Sequence, residues 1–389
     1  MKAIISGAGI AGLSSALALH RAGWQVTVLE RAPGLRSGGY MLDFFGPGYD
    51  AAEALGVLGA LKAHGDDVEH VDFVNAAGKL GSSMDYGRMR EAAGGKLFPI
   101  LRGDIEKVLY EALPDSADIR FSTELAAVSE TGRGIAARLS DGKEIEADLL
   151  VGADGIHSLT RKLVFGPEQD FLRFLGFHTA AYFFDSQTVS QALGGQFKMM
   201  AVPAGMAGFF DVGAGRIMAF FVMRAESVKR PADLRGKLKE AFGKLGWVLP
   251  EALAAAPDHD IYYDVVAQVE MPAWHKGRVM LVGDAGYAVS LLAGQGASLA
   301  IAGGRALGQV LEGTSDIEAA LARMDRQLRP LVAEKQKAGR RMANWFVPKT
   351  HLHEVVRDIA VNTMNWPPLA GFLGQFFSFS SKGFSLAGR

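Results

Sequence analysis

Lys2-Ala3-Ile4-Ile5-Ser6-Gly7-Ala8-Gly9-Ile10-Ala11-Gly12-Leu13 is the stretch on which the fold turns. Residues 2–6 form a short apolar run that stops at glycine, the pattern of a buried strand. Leu13, Leu17 and His20 follow at helical spacing up to Gly23. Gln25 to Leu29 then gives a second strand, with Glu30 at its end, 18 residues past Gly12. Strand, glycine turn, helix, strand and acidic residue together make the βαβ context that a Gly-x-Gly-x-x-Gly motif requires. In that context Gly7 permits the tight turn, Gly9 lets the backbone approach a pyrophosphate, and Gly12 lets the helix pack on the strand. The free N–H groups of the first helical turn, Ala11 included, face the phosphates. Glu30 accepts two hydrogen bonds from an adenosine ribose and its charge repels a 2′-phosphate; Arg31 beside it joins the candidate cofactor-binding set. A glycine-rich turn with no ligand is the plainer alternative, and the register of the flanking parts argues against it. The motif leaves open whether the dinucleotide is NAD(P) or FAD.

Working outward, the 389-residue chain carries a formal net charge of −1, 49% hydrophobic and 21% charged residues, and no cysteine. At about 150 residues per domain this length suggests two or three compact units with a large core. A charge near zero gives no case for nucleic acid or an anionic membrane as partner. Zero cysteines exclude disulfides, thiolate zinc sites and dithiol redox chemistry. Met1-Lys2 and the small residues after it imitate a secretory signal, but Gly7, Gly9 and Gly12 interrupt the apolar core. No run of 18 apolar residues exists, so no membrane span is expected and the default location is cytoplasmic. The 48 glycines, about 12% of the chain against roughly 7% in average proteins, point to a backbone that turns tightly or approaches a ligand closely.

Two further motifs have the same strand-end character. Asp148-Leu149-Leu150-Val151-Gly152-Ala153-Asp154-Gly155-Ile156-His157-Ser158-Leu159-Thr160-Arg161 reads as a buried strand ending in Asp-Gly before a helix. Gly277 to Tyr287 contains a second strand ending in Gly283-Asp284, and Gly294-Gln295-Gly296-Ala297 opens a helix ten residues later. Asp284 at a strand's carboxyl end suits ribityl hydroxyls, and the Gly294–Ala297 helix start offers N–H groups to a pyrimidine carbonyl or phosphate.

In this order and spacing the three motifs resemble the FAD-dependent aromatic hydroxylase family, single-component flavoprotein monooxygenases with the para-hydroxybenzoate hydroxylase fold. The resemblance runs from Lys2 to about Leu311. Asp154, Gly155, Ser158 and Arg161 match the family's Asp-Gly motif, Gly283 and Asp284 its Gly-Asp motif, and Arg102 its flavin arginine. Arg36-Ser37-Gly38-Gly39-Tyr40-Met41-Leu42-Asp43-Phe44-Phe45-Gly46 is similar to the tetracycline-inactivating branch, which implies that Asp43 helps hold the flavin and Arg36 meets NADPH; a glycine-rich turn capped by aspartate is the bland alternative. The sequence departs from the pattern at Tyr287, where many hydroxylases have His, and in lacking a proline before Gly294. Both departures imply a flavin pocket of different shape.

The resemblance implies an α/β fold: a Rossmann-like FAD-binding domain (residues 1–72, 98–173 and 262–315), an inserted β-sheet substrate domain (73–97 and 174–261) and a C-terminal bracing helical region (316–389). Strands are expected at Ile119–Ser122, Leu125–Ser129, Ile135–Leu139 and Glu144–Ala147 as a meander before the Asp-Gly strand. Further β-like runs, Phe177–Phe184, Gln196–Val202, Gly208–Val212 and Ile217–Met223, are rich in Phe, Met and Tyr and could roof an apolar pocket, although core packing explains any single one of them. Asp316 to Trp345 reads as a long helix that Pro330 kinks or divides, with Lys335, Lys337, Arg340 and Arg341 on a solvated face. The aromatic end, Leu369 to Phe384, is expected to pack back on the body or on a second subunit. Several constellations fail: His351-Leu352-His353-Glu354 is a poor metal site with its histidines on different helix faces, and no metal is assigned.

By resemblance the function is FAD-dependent monooxygenation. NAD(P)H, a transient co-substrate, reduces FAD, and O2 gives a flavin C4a-hydroperoxide that hydroxylates an aromatic or polyketide-like small molecule. No side chain is assigned a catalytic role, because the flavin carries the chemistry. A monomer or homodimer is expected. The competing readings are a reductase or dehydrogenase of the same fold and a non-catalytic flavin- or ligand-sequestering protein.

Overall fold

The computed structural model describes residues 1–35, 39–132, 134–347, 358–359 and 361–363, with backbone alone over 342–346. Lys2–Ser6 is a central strand of a six-stranded sheet, and its last four residues are buried, which explains a near-continuous apolar run instead of an alternating one. The sheet order is His275–Lys276, Val279–Leu281, Leu149–Gly152, Lys2–Ser6, Gln25–Leu29, Asp118–Arg120, parallel except at the first edge. The run at 119–122 thus serves as a parallel edge strand, not as part of the meander. The meander has three strands, Leu125–Thr131, Gly134–Leu139 and Glu144–Ala147.

The helix Ile10–Arg21 is buried from Ile10 through Leu19 because the sheet covers one side and the helix Gly296–Leu311 the other. Small residues make that second contact possible. A Cβ on Gly304 would lie 2.5 Å from Ser14 Oγ, and one on Gly308 2.7 Å from Ala18 Cβ.

A second sheet of seven strands has the order Tyr262–Val269, Leu172–Asp185, Arg216–Arg224, Gly205–Asp211, Phe197–Val202, His70–Val74, Leu80–Asp85. Tyr262–Val269, assigned from sequence to the cofactor part, pairs here with Leu172–Asp185. Joining the two units is a ribbon, Met41–Phe45 against Leu97–Leu101. Strand alternation divides its side chains: Leu42 and Phe44 pack in the core of the first unit, Met41 and Phe45 in that of the second.

The C-terminal helix Ile317–Phe346 is continuous through Pro330. It braces the loop after the Gly-Asp motif. Gln336 Nε2 donates to the carbonyls of Val269 (2.7 Å) and Ala288 (3.1 Å), while Gln268 Nε2 donates to those of Val289 (2.9 Å) and Gln336 (2.8 Å). The basic cluster expected on a solvated face is therefore divided. Lys335 is buried, and Arg340 donates to Gln268 (2.7 Å) and Glu270 (3.0 Å). The aromatic run 369–384 and the histidines at 351 and 353 lie outside the described residues.

An ionic contact crosses between the units beside the cavity. His157, in the Asp-Gly loop, faces Asp264 on Tyr262–Val269 through Nε2 (3.0 Å) and Glu168 through Nδ1 (3.0 Å). The Asp264 hydrogen bond raises its pKa to about 9; partial burial opposes this and Glu168 adds to it. Because the folded value lies above the ordinary 6.5, this contact contributes fully below pH 6.5 and is lost as the pH climbs through about 9. His157→Gln should flatten the fall in stability over that window, as followed by urea midpoints at several pH values. In the helix pair, Gly304→Val should cost about 1–3 kcal/mol by overpacking. Gly59→Ala, on an exposed helical turn with open space around its Cβ, should be neutral or gain about 0.5–1 kcal/mol by the same measurement.

Candidate active site

The carboxyl ends of the parallel strands and the ribbon enclose one cavity of ≈ 440 Å³. Its first half is built by the glycine turn. Gly7 has φ +104° and a Cβ there would meet the Ala153 carbonyl oxygen at 2.5 Å, while a Cβ at Gly12 would stand 1.8 Å from the Gly7 carbonyl oxygen. Gly12 accordingly lies beneath the turn, whereas Gly7, Gly9 and Ala11 line the cavity. The helix Ile10–Arg21 has no side-chain cap and no acidic residue in its first turn, and the same holds for Gly296–Leu311. Both therefore present uncapped N–H groups at the cavity, a donor set suited to phosphates and a flavin carbonyl.

Around this turn the predicted residues converge. Glu30 accepts from the N–H of Ala8 (2.9 Å) through Oε2 and from that of Ala32 (2.8 Å) through Oε1, so its carboxylate is fixed at the base of the glycine loop. Its remaining acceptor capacity faces the cavity, where ribose hydroxyls would complete it. Arg31 lies exposed at the cavity rim. Arg102 donates to Glu106 (2.7 Å). Burial opposes its charge, but Glu106, Tyr40, Tyr262 and Asp284 hold the guanidinium above its ordinary pKa. Asp284 begins the short helix Asp284–Tyr287 at the cavity floor. It is open to the cavity yet deep in the molecule, so burial lifts its carboxyl above the usual range, opposed by Arg102. Gly294, Gly296 and Ala297 line the same end.

Asp154 lines the cavity, but its carboxylate is largely spent within the protein. It accepts from Ser158 Oγ (2.5 Å), Thr160 N (2.8 Å) and Thr160 Oγ1 (2.9 Å). Arg161, fully buried, donates to the carbonyls of Ile156 (2.6 Å) and Ala285 (2.8 Å) and so ties the Asp-Gly loop to the Gly-Asp helix. Burial lowers its pKa, and Glu168 and Asp154 oppose that. Asp43 lines the same cavity. It points with Met41 and Phe45 toward the second unit and accepts from Tyr86 Oη at 2.7 Å. Arg36 lies outside the described residues.

The second half of the cavity is walled by Val68, Val71, Phe73, Met84, Met89, Phe197, Met199, Met206, Met218 and Phe220. The Phe- and Met-rich sheet runs thus do roof an apolar space. Tyr287 does not shape it. Its ring is buried against Trp274, centroids 4.5 Å apart, so the departure from His is absorbed in the core. The loop that lacks the proline does contribute, through Ala288, Ser290, Leu291 and Leu292. Sequence reasoning missed Tyr40, Tyr86, His157, Tyr262 and Asp264 as cavity residues. The strand alternation at 41–45 was the one available signal, since it sets Asp43 apart from Leu42 and Phe44. Among the described residues no group of His, Asp and Glu is arranged to hold a metal, and no helix is long and apolar enough to cross a membrane.

Comparison with known proteins agrees with this geometry. A family model described as an FAD binding domain matches residues 1–326. The chain is 33% identical over 327 residues to an uncharacterized protein of Mycobacterium tuberculosis, covering 80% of this chain and 85% of that one. It is 30% identical over 347 residues to a flavin-dependent monooxygenase of an unknown prokaryotic organism, covering 87% and 88%. The crystal structure of tetracycline destructase Tet(55) superposes with a TM-score of 0.81 at 27% identity, covering 97% of both chains. With the dinucleotide groove and the apolar compartment meeting in one cavity, the chain belongs to the FAD-binding family of aromatic-hydroxylase fold and is an FAD-dependent monooxygenase.

Proposed function

We propose that the enzyme uses NAD(P)H and O2 to hydroxylate an aromatic or polyketide-like small molecule. The observation that carries this reading is the continuity of the cavity: an apolar compartment walled by Met and Phe side chains opens directly from the dinucleotide groove. Likeness to Tet(55), named as a tetracycline destructase, supports it. Bound FAD would supply the redox chemistry, with NAD(P)H as the two-electron reductant, O2 as the oxidant and water taking up the second oxygen atom.

The chain's own residues bind, orient and exclude water. Gly7, Gly9, Ala11 and the first-turn N–H groups take the pyrophosphate, with Gly12 allowing the turn beneath them. Glu30 takes the adenosine ribose, with Arg31 at the rim. Arg102 and Asp284 take the ribityl chain, and Gly294, Gly296 and Ala297 the pyrimidine edge. Asp154 acts by holding the strand end against the glycine turn. The Met and Phe wall keeps bulk water from the reacting centre, which favours transfer to substrate over release of H2O2. Only one dinucleotide fingerprint exists in the sequence, so NAD(P)H binds transiently; the reaction is placed in the cytoplasm, where that reductant is supplied.

Asp284→Ala should raise the FAD dissociation constant about tenfold or more, roughly 1.4 kcal/mol. Glu30→Ala should do the same while also freeing the Ala8 and Ala32 N–H groups. Flavin content after purification and fluorescence titration of apoprotein with FAD check both. For the reaction, O2 uptake and NADPH oxidation by the FAD-loaded enzyme should rise several-fold with members of a polyphenol and aromatic polyketide panel. Flavin that NAD(P)H reduces without any substrate-stimulated O2 uptake would support a reductase instead.

A further inference from the structure

We propose that the substrate compartment selects an uncharged, hydroxyl-bearing ring system, held through its hydroxyl on Asp43, and rejects carboxylates. This rests on the oxygenase reading of the same cavity and names its substrate class more closely.

Charge distribution is the first ground. Among the described residues, the cationic side chains lining the cavity are Arg31, Arg102 and His157, all on the cofactor half. Arg102 is bound to Glu106, and His157 to Asp264 and Glu168. The charged side chains on the substrate side are carboxylates, Asp43 and, at the border, Asp264. Among the described residues, a carboxylate ligand entering here would shed its hydration, find no unpaired counter-ion on the substrate side and face a like charge.

Asp43 itself is the second ground. Asp43 lines the cavity, and strand alternation sets it on the same face as Met41 and Phe45, which pack with the second unit. Tyr86, buried, donates to Oδ1 at 2.7 Å and fixes the carboxylate's rotation. No described group donates to Oδ2, and the residue is half-buried on the cavity wall. An acceptor in apolar surroundings gains strongly from a donor, and a ligand hydroxyl supplies one. Burial also lifts this carboxyl above its usual range, which makes it a better acceptor when ionised. The remaining wall is methionine-rich, with Met84, Met89, Met199, Met206 and Met218. Thioether side chains adjust to flat rings of several shapes without fixing one of them.

The test is binding to the FAD-loaded protein by calorimetry, without NAD(P)H, so that failure of the oxygenase reading does not obscure it. The probes are 2-naphthol, 2-naphthoate and 2-methylnaphthalene at pH 7.5. Wild type should bind 2-naphthol at least tenfold more tightly than 2-naphthoate and several-fold more tightly than 2-methylnaphthalene. Asp43→Ala should erase the preference for the hydroxyl, and Asp43→Asn, close in shape and uncharged, should narrow the gap to 2-naphthoate, both with FAD content unchanged. Equal binding of naphthoate and naphthol, no binding of naphthol, or an unaltered hydroxyl preference in Asp43→Ala would overturn the proposal. Loss of FAD from Asp43→Asn would overturn it too, because it would place the residue on the flavin.

Discussion

A side chain at Gly12 would have to begin 1.8 Å from the Gly7 carbonyl oxygen, and the rest of the cofactor groove follows from that prohibition. The turn can close only because both positions lack a Cβ. Closing it brings the start of Ile10–Arg21 against the end of Leu149–Gly152, where Ala153 crowds Gly7 and Asp154 faces Ser6 Oγ at 3.5 Å. Asp154 then holds Ser158 and Thr160, and Arg161 carries the linkage to Ala285 beside Asp284. Three motifs far apart in sequence are thus one hydrogen-bonded assembly, and residues that line the groove are held by others, such as Arg161, that do not.

The second unit is attached to this assembly by unlike devices. The ribbon Met41–Phe45 contributes to both cores at once, His157 makes an ion pair across the boundary, and the Gln268–Gln336 exchange clamps the loop that leads to the second glycine-opened helix. The ribbon and the His157–Asp264 pair line the cavity, and the glutamine exchange holds the loop that does, so what holds the two units together also shapes the space between them.

Much of this was readable in the sequence because it is local. The glycine turn, the Asp-Gly and Gly-Asp strand ends and the Phe- and Met-rich strands are short-range patterns whose geometry is fixed by backbone sterics and period. What could not be read was long-range. Tyr86 meets Asp43 from 43 residues away, and Arg340, which composition assigns to a solvated face, finds Gln268 on a strand 72 residues away and Glu270 just past that strand's end. The short run at 119–122 carries no mark distinguishing a parallel edge from a meander strand; only its neighbour Gln25–Leu29 decides. Asp154 shows a further limit: its position in the motif predicts a cofactor contact, while three short hydrogen bonds assign most of its acceptor capacity to the protein.

The ribbon has a consequence for how such an enzyme can change. Its odd-numbered positions, 41, 43 and 45, lie on the side of the second unit, where Met41 and Asp43 line the cavity, and its even ones, 42 and 44, pack in the core beneath the dinucleotide groove. A single five-residue strand thereby keeps two sets of constraints on separate faces. Lineages can vary one face and retool substrate choice while the other stays under unchanged selection for flavin binding, so this strand offers an evolutionary route to new specificity that does not pass through a cofactor-free protein.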